Sequence, residues 1–176
     1  MAVEVAAAAE ADLAELASVA ARTFPLACPP STSPENVAAF IEENLSENRF
    51  REYLTDARRV VLAARADGRM VGYVMLIRGV PDDGDIARAV PLRPAVELSK
   101  MYVLQEVHGS GASTALMSAA LTRAAELDAK CVWLGVNQNN QRAQRFYAKH
   151  GFSVNGTKTF RVGTDLENDY VMVRPL

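Results

Sequence analysis

Seven consecutive residues, His108, Gly109, Ser110, Gly111, Ala112, Ser113 and Thr114, have the types and spacing to hold a phosphate. Gly109 and Gly111 permit positive φ and let another molecule approach the backbone closely. The residues that follow read as a helix, so free N–H groups and the positive end of the helix dipole meet at this bare turn. An anion site results, although an isolated G-x-G also serves as an ordinary tight turn before a helix. His108 precedes the turn and reads as a phosphate contact or a solvent-exposed side chain. Metal chemistry finds no support: His108 and His150 are the only histidines, and Cys28 and Cys131 lie far apart with no C-x-x-C. Cys131 opens the apolar run "CVWLGV" and reads, with Trp133, as core, a free thiol in keeping with a reducing cytoplasm.

The elements that must position this turn are legible from period and punctuation. Val3 and Val5 suggest a short strand, and Leu13, Leu16, Ala17, Ala20 and Phe24 fall on one helical face. A Pro-rich turn leads to Ser33-Pro34-Glu35, a capped helix start, followed by a helix through Phe40, Ile41, Asn44 and Leu45 and a second short one at Phe50, Tyr53 and Leu54. Two β-rich runs joined through Asp67-Gly68 form a hairpin. The segment "VPDDGDIARAVPLRP" reads as a loop, "AVELSKMYV" and "CVWLGV" as strands, and the stretch from Ala115 to Leu127 as a helix. "NNQRAQRFYAKHG" is a short helix with an Asn cap and a Gly stop, and "FSVNGTKTF" with "DYVMVRP" a closing antiparallel pair. The order β-αα-β-β-β-α-β-α-β-β makes one domain over residues 1–176, a mixed sheet with helices on both faces.

Composition narrows the partners. The 176 residues are 49% hydrophobic and 23% charged, and 19 Lys+Arg against 21 Asp+Glu give a net charge of −2. This is ordinary globular composition, without the basic footprint of a nucleic-acid or membrane-surface binder. The N-terminus lacks the basic start of a secretory signal, and the apolar run over residues 70–77 is too short to span a bilayer.

The strand "ELSKMYV", the turn "HGSGAS", a long helix, the strand "VWLGV" and "NNQRAQRFYAKHGF" together resemble the GNAT superfamily of acyl-CoA N-acyltransferases. The turn corresponds to the family's pyrophosphate motif, with His108 in place of Gln/Arg and Ser113 in place of the last Gly/Ala. Asn140, Ala143, Phe146, Tyr147, Gly151 and Phe152 match its N-x-x-A-x-x-F/L-Y-x-x-x-G-F pattern. The last third, "GTKTFRVGTDLENDYVM", is similar to that of PaiA-type polyamine N-acetyltransferases.

The resemblance implies an α/β GNAT fold with a central, mostly antiparallel twisted sheet, and transfer of acetyl from acetyl-CoA, as co-substrate, directly to a primary amine. It implies that backbone groups at Met101, Tyr102 and Val103 hold the thioester and pantetheine. The turn from His108 to Thr114 would hold the diphosphate, and Asn140 would lie near the cofactor. The family's general-acid tyrosine falls on Tyr147, which reads equally well as a core aromatic. The glutamate that many members carry on the fifth strand is absent here, where Leu134-Gly135-Val136 stands in its place. Glu97 on the fourth strand takes the base's role in the alternative family arrangement, or is a solvated strand-end acid. By alternation Glu97, Ser99 and Met101 share a face.

The expected acceptor is a small polyamine, drawn by Glu42, Glu43, Asp82, Asp83 and Asp85 and flanked by Phe24, Phe40 and Phe50. Two other readings stay open: an amino acid or protein N-terminus as acceptor, and an acyl-CoA sensor without turnover. The expected partner is a small-molecule amine, with no nucleic acid and no membrane, in the cytoplasm; a homodimer is compatible with the chain.

Overall fold

In the computed structural model, which describes residues 2–176, Asp67 and Gly68 take φ of 53° and 75°. Two successive positive φ values are what the favoured two-residue hairpin requires. They join β2 (Arg59–Ala66) to β3 (Arg69–Arg78). β1 (Val3–Ala7), β4 (Ala95–Val103), β5 (Cys131–Asn137), β6 (Ser153–Val162) and β7 (Asp165–Pro175) complete a sheet in the order β1-β2-β3-β4-β5-β7-β6. Among the described residues only β4 and β5 run parallel. A parallel pair needs a crossover, and α5 (Ala112–Glu126) supplies it.

Helices cover both faces. On one, α1 (Leu13–Ala27) and α3 (Glu47–Thr55) seat aromatic rings on the sheet: Phe24 lies edge-on to Tyr102 at 6.5 Å and Phe50 to Tyr73 at 5.5 Å. On the other, α5 packs across β2, β3 and β4, burying Leu116, Met117, Ala120 and Ala124. Phe50 is fully buried, and a side chain of that size contributes roughly 1.5–3 kcal/mol. α2 (Pro34–Asn44) starts as its sequence predicts, with Ser33 Oγ accepting from Asn36 N–H at 3.2 Å and Pro34 in the first turn. α6 (Gln141–Lys149) carries Asn140 as its cap, Oδ1 accepting from Ala143 N–H at 3.1 Å.

Two local expectations are corrected. The segment read as a loop holds α4 (Gly84–Ala89), because Asp83 Oδ1 accepts from the N–H groups of Asp85 and Ile86 and so nucleates a turn. Ile86 and Ala89 then pack against the buried Trp133 and Val171. α1 also continues past Pro25 to Ala27 before extended backbone at Cys28 ends it. Among the described residues, no helix is long and apolar enough to cross a membrane.

Candidate active site

Where β4 meets β5 the sheet splits. The two strands are in register only at Ala95–Cys131, Val96–Val132 and Glu97–Trp133, yet β4 runs on to Val103 and β5 to Asn137. The cause lies two residues beyond the last pair. Against β3, Leu98 faces Leu76 and Lys100 faces Met75, so Ser99 is an unmatched extra residue. A bulge of this kind bends its strand and increases the twist, and β4 swings away from β5.

The bulge also resets which side chains share a face, and so corrects the expected alternation. Glu97, Lys100 and Tyr102 point to the α1 side with their β3 partners Ile77, Met75 and Tyr73. Met101 and Val103 point to the α5 side with Leu98. Ser99 is the residue the simple period-2 count could not anticipate.

A groove of about 390 Å³ fills the split, and Glu97, Met101, Gly109, Asn140 and Tyr147 all line it. At its α5 end, Gly109 and Gly111 take φ of 84° and 90°, and a Cβ built at either would meet no protein atom within 4 Å. Their lack of a side chain therefore answers to backbone conformation and to the open space in front, not to crowding by the protein. Ala112 N–H reaches Ser110 Oγ at 3.4 Å, while the N–H groups of Gly109, Gly111, Ser113 and Thr114 meet no acceptor among the described residues. Four donors at the start of a fifteen-residue helix form a built anion cradle. The cradle suits the diphosphate of a CoA molecule.

The open edge of β4 supplies the next contacts. Leu104 N–H donates to Val71 O at 2.8 Å, so alternation in the antiparallel pair turns the N–H groups of Met101 and Val103 toward the gap. His108 is tied back to this edge: its Nε2 lies 3.1 Å from Val103 O. A carbonyl only accepts, so Nε2 carries the proton there. His108 thus braces the turn against the strand as well as lining the groove.

Tyr147 lies beneath the cradle on α6, its ring held edge-on by Phe146 and Phe152 at 5.7 and 5.9 Å. Burial pushes its hydroxyl up to about 12, and that hydroxyl has no partner among the described residues. The Tyr147 ring is packed against the core and the residue lines the groove. Asn140 caps its helix and also lines the groove. Arg142, which motif reading passed over, lines the groove one residue into α6.

The opposite end is made of side chains. Burial raises the Glu97 carboxyl above its usual range, opposed by Lys158, Lys100 and Arg59. Burial likewise brings Lys100 down to about 8, against the pull of Glu97. Asp169, 5% exposed, is also raised by burial although Lys158 Nζ lies 3.3 Å away.

The Lys158 side chain explains Gly135. A Cβ at position 135 would collide with Lys158 Cε and stand 3.0 Å from its Nζ and 3.1 Å from Asp169 Oδ2. The place of a fifth-strand glutamate is taken by an ion pair reaching over from β6 and β7.

Phe24 and Phe40 stack at 4.4 Å and Phe160 meets Phe40 edge-on at 5.6 Å, and all three line the groove. Phe50 does not; it is core. Glu42, Glu43, Asp82, Asp83 and Asp85 also lie outside the groove, and its acids are Glu97, Glu167 and Asp169. The start of α2 is pinned to β7: Asn36 Nδ2 donates to Asp165 Oδ2 at 2.8 Å and the capping Ser33 N–H to the same oxygen at 3.3 Å. Phe160 and Asp169 fall on the F-x-x-G…D-x-x-M segment of the polyamine-type likeness, which gives them no place in the groove, and Lys100 and Lys158 carry no motif and escape sequence reading. The one signal for Lys158 was the glycine at 135, which leaves room for something else.

Comparison with known proteins agrees with this geometry. Residues 20–152 match the model of the acetyltransferase (GNAT) family. An uncharacterized N-acetyltransferase of Mycobacterium tuberculosis is 62% identical over 165 residues, 94% of this chain and 98% of the relative. Another, from Lactobacillus delbrueckii subsp. lactis, is 26% identical over 95% of this chain and 94% of its own. Among solved structures, the PaiA N-acetyltransferase from Thermoplasma acidophilum, in complex with coenzyme A, is similar with a TM-score of 0.79. That likeness covers all of both chains at 20% identity. The ribosomal-protein-S18-alanine N-acetyltransferase from Escherichia coli is similar at a TM-score of 0.69 and 17% identity, over 99% of this chain and 94% of that one. These two likenesses concern the fold. A bare turn heading α5, a bulged β4 parting from β5 and a tyrosine on α6 are thus joined to a family match over most of the length, and the chain belongs to the acetyltransferase (GNAT) family of N-acetyltransferases.

Proposed function

We propose that the enzyme moves an acetyl group from acetyl-CoA directly to a primary amine of polyamine type. One observation carries the reading: the bare turn at the head of α5, through Gly109 and Ser113 with their unsatisfied N–H groups, the open β4 edge, Tyr147 and Glu97 border one continuous groove.

When bound, acetyl-CoA supplies a thioester whose carbonyl carbon is open to attack. The turn from Gly109 to Thr114 holds the diphosphate, with Arg142 and His108 beside it, and Asn140 fixes the α6 wall. Met101 and Val103 N–H groups meet the thioester oxygen, where negative charge grows during attack; fixed donors of this kind act without reorganising. An alkylammonium has a pKa near 10 and must lose a proton before it attacks. Glu97 receives that proton, and its raised affinity for protons suits it to the task. Tyr147 gives a proton to the departing thiolate. Burial holds its hydroxyl at about 12, above an ordinary thiol, so the transfer to sulfur is completed only as the proton shed by the attacking nitrogen replaces the one given.

The acceptor end favours a cationic chain. Phe24, Phe40 and Phe160 flank a methylene stretch, while Asp169 and Glu167 offer carboxylates on the same side. The acids that support this are those of the groove, not the acids outside it that the sequence suggested. The test is thiol release from acetyl-CoA across polyamines, amino acids and peptide N-termini. Release with spermidine or spermine and little with the others is expected. Release only with an amino acid or a peptide N-terminus would overturn the polyamine acceptor and leave the transfer standing.

A further inference from the structure

The chain has four lysines, at 100, 130, 149 and 158, and Lys130 and Lys149 are exposed and remote from the groove. Lys158 is different in kind. Its side chain leaves β6, crosses β7 and lies on β5 at Gly135, on the flank of the split that faces the Met101–Val103 edge. There Nζ is held 3.3 Å from Asp169 and 5.2 Å from the centre of the Phe160 ring, with the side chain 14% exposed. Chemically this is a primary ammonium on a four-carbon stem, beside aromatic rings and against a buried carboxylate. Those are the features the proposed acceptor would present, already tethered in the acceptor's place.

From this the geometry points to Lys158 as an acetyl acceptor within its own molecule: the enzyme acetylates Lys158 Nζ when acetyl-CoA is bound and no external amine competes. The inference rests on the proposed use of acetyl-CoA.

The step balances with groups in the groove. Asp169 Oδ2 takes one proton from the Lys158 ammonium and passes it to solvent. The freed electron pair forms the N–C bond to the thioester carbonyl carbon, the C–S bond breaks, and sulfur leaves with its electron pair. Tyr147 gives sulfur a proton, and the second proton shed by nitrogen replaces it. The products are an amide at Lys158 and free CoA thiol; nothing is oxidised or reduced.

Proximity favours this reaction over attack by an untethered amine. A group linked through a short stem is present at an effective concentration of millimolar order or above. Lys100, which also lines the groove, starts from β4 itself and lies in the field of Glu97 and Arg59. It does not face that strand from the opposite flank as Lys158 does.

The experiment incubates the full chain with acetyl-CoA alone, over a range of protein concentrations, and follows intact mass and modified peptides. Expected is one acetyl group on Lys158, gained with a rate constant independent of protein concentration. It should disappear in Lys158→Arg and in Gly111→Glu, which blocks the cofactor cradle. An unmodified Lys158 in a preparation that does release thiol with an added amine overturns self-acetylation and spares the transfer reaction. An unmodified Lys158 with no thiol release for any amine overturns both. Acetyl gained on Lys158 at equal rates in wild type and Gly111→Glu marks plain chemical acylation and also overturns the inference. Mapping is done on the unaltered chain, so the result does not depend on a variant folding.

Discussion

The two ends of the groove are built from different materials. The donor end is backbone: the N–H groups of the bare turn and of the β4 edge, with side chains reduced to glycine, alanine and serine. The acceptor end is side chain: Glu97 and Lys100 from β4, Lys158 and Phe160 from β6, Asp169 from β7, Phe24 and Phe40 from α1 and α2. Backbone groups are the same in every protein, so a donor site can be reused whatever the acceptor. Side chains are free to differ, and specificity resides there. Charge follows the same division. Near the turn the attraction comes from dipoles and N–H groups. At the other end buried carboxylates and ammoniums compensate one another at a desolvation cost that only close pairing offsets.

The difference can be broken most severely at the donor end. Gly111→Glu puts a carboxylate into the anion cradle at φ 90°, opposing the diphosphate by bulk and by charge. A ligand at about 100 times its dissociation constant adds roughly 2.7 kcal/mol of apparent stability. For a domain near this size each kcal/mol corresponds to about 2–4 °C in Tm. The parent should therefore melt roughly 5–10 °C higher with saturating acetyl-CoA, and the variant should show no shift. An unchanged shift in the variant would remove the diphosphate from the turn.

Tyr147→Phe keeps the ring between Phe146 and Phe152 and deletes only the oxygen that faces the groove. Turnover should fall by up to about 10²-fold, the scale of a lost general acid, with the melting temperature nearly unchanged. Full turnover at every pH would leave Tyr147 as a packing residue alone.

At the acceptor end the expected losses are smaller and depend on pH. Burial raises the folded-state pKa of Glu97. The carboxylate that accepts a proton therefore accumulates only as pH climbs through that raised value. Glu97→Gln should lose most turnover near neutral pH, on the order of 10-fold or more. The loss should shrink toward pH 10, where free amine needs no base. Measured kcat/KM profiles decide it, since an equal loss at all pH values assigns Glu97 to binding.

The same division explains what could be read before the structure. The hairpin at Asp67-Gly68, the Ser33 and Asn140 caps and the bare turn are local: each needs only a few neighbouring residues to specify its geometry, so spacing reveals it. The order of strands and the helices on both faces follow from period. The Ser99 bulge was not legible, because a run of β-formers carries no mark for one extra residue, and it reversed the assignment of Met101 to the face of Glu97. The α4 helix was hidden by its aspartates, which read as loop and serve as a cap. Lys158 and Asp169 come together only through the β6–β7 register, 11 residues apart in sequence and directly opposite in space. No local pattern could place them over Gly135.

The smallest expected effect concerns salt, and here the acceptor end departs from what composition suggests. Surface acids such as Glu42 or Asp82, had they lined the groove, would attract a polyamine over long distances, and salt would weaken that attraction strongly. They lie elsewhere, and the acids in place are Asp169, which is buried, and Glu97 and Glu167, which are half-buried, Glu97 being desolvated enough to raise its carboxyl. Exposed attraction is screened beyond about 10 Å at 0.1 M salt, whereas buried pairs are screened much less. Glu167 therefore carries most of the salt-sensitive part, and one partly exposed pair contributes about 0.2–1 kcal/mol. That range converts to a rise in KM of roughly 1.4- to 5-fold between low and high salt at 1.4 kcal/mol per factor of ten. Glu167→Gln should flatten the dependence while leaving kcat unchanged, because Glu167 attracts the chain and takes no part in the transfer. A much steeper rise in the wild type, retained in Glu167→Gln, would return the steering role to acids outside the groove.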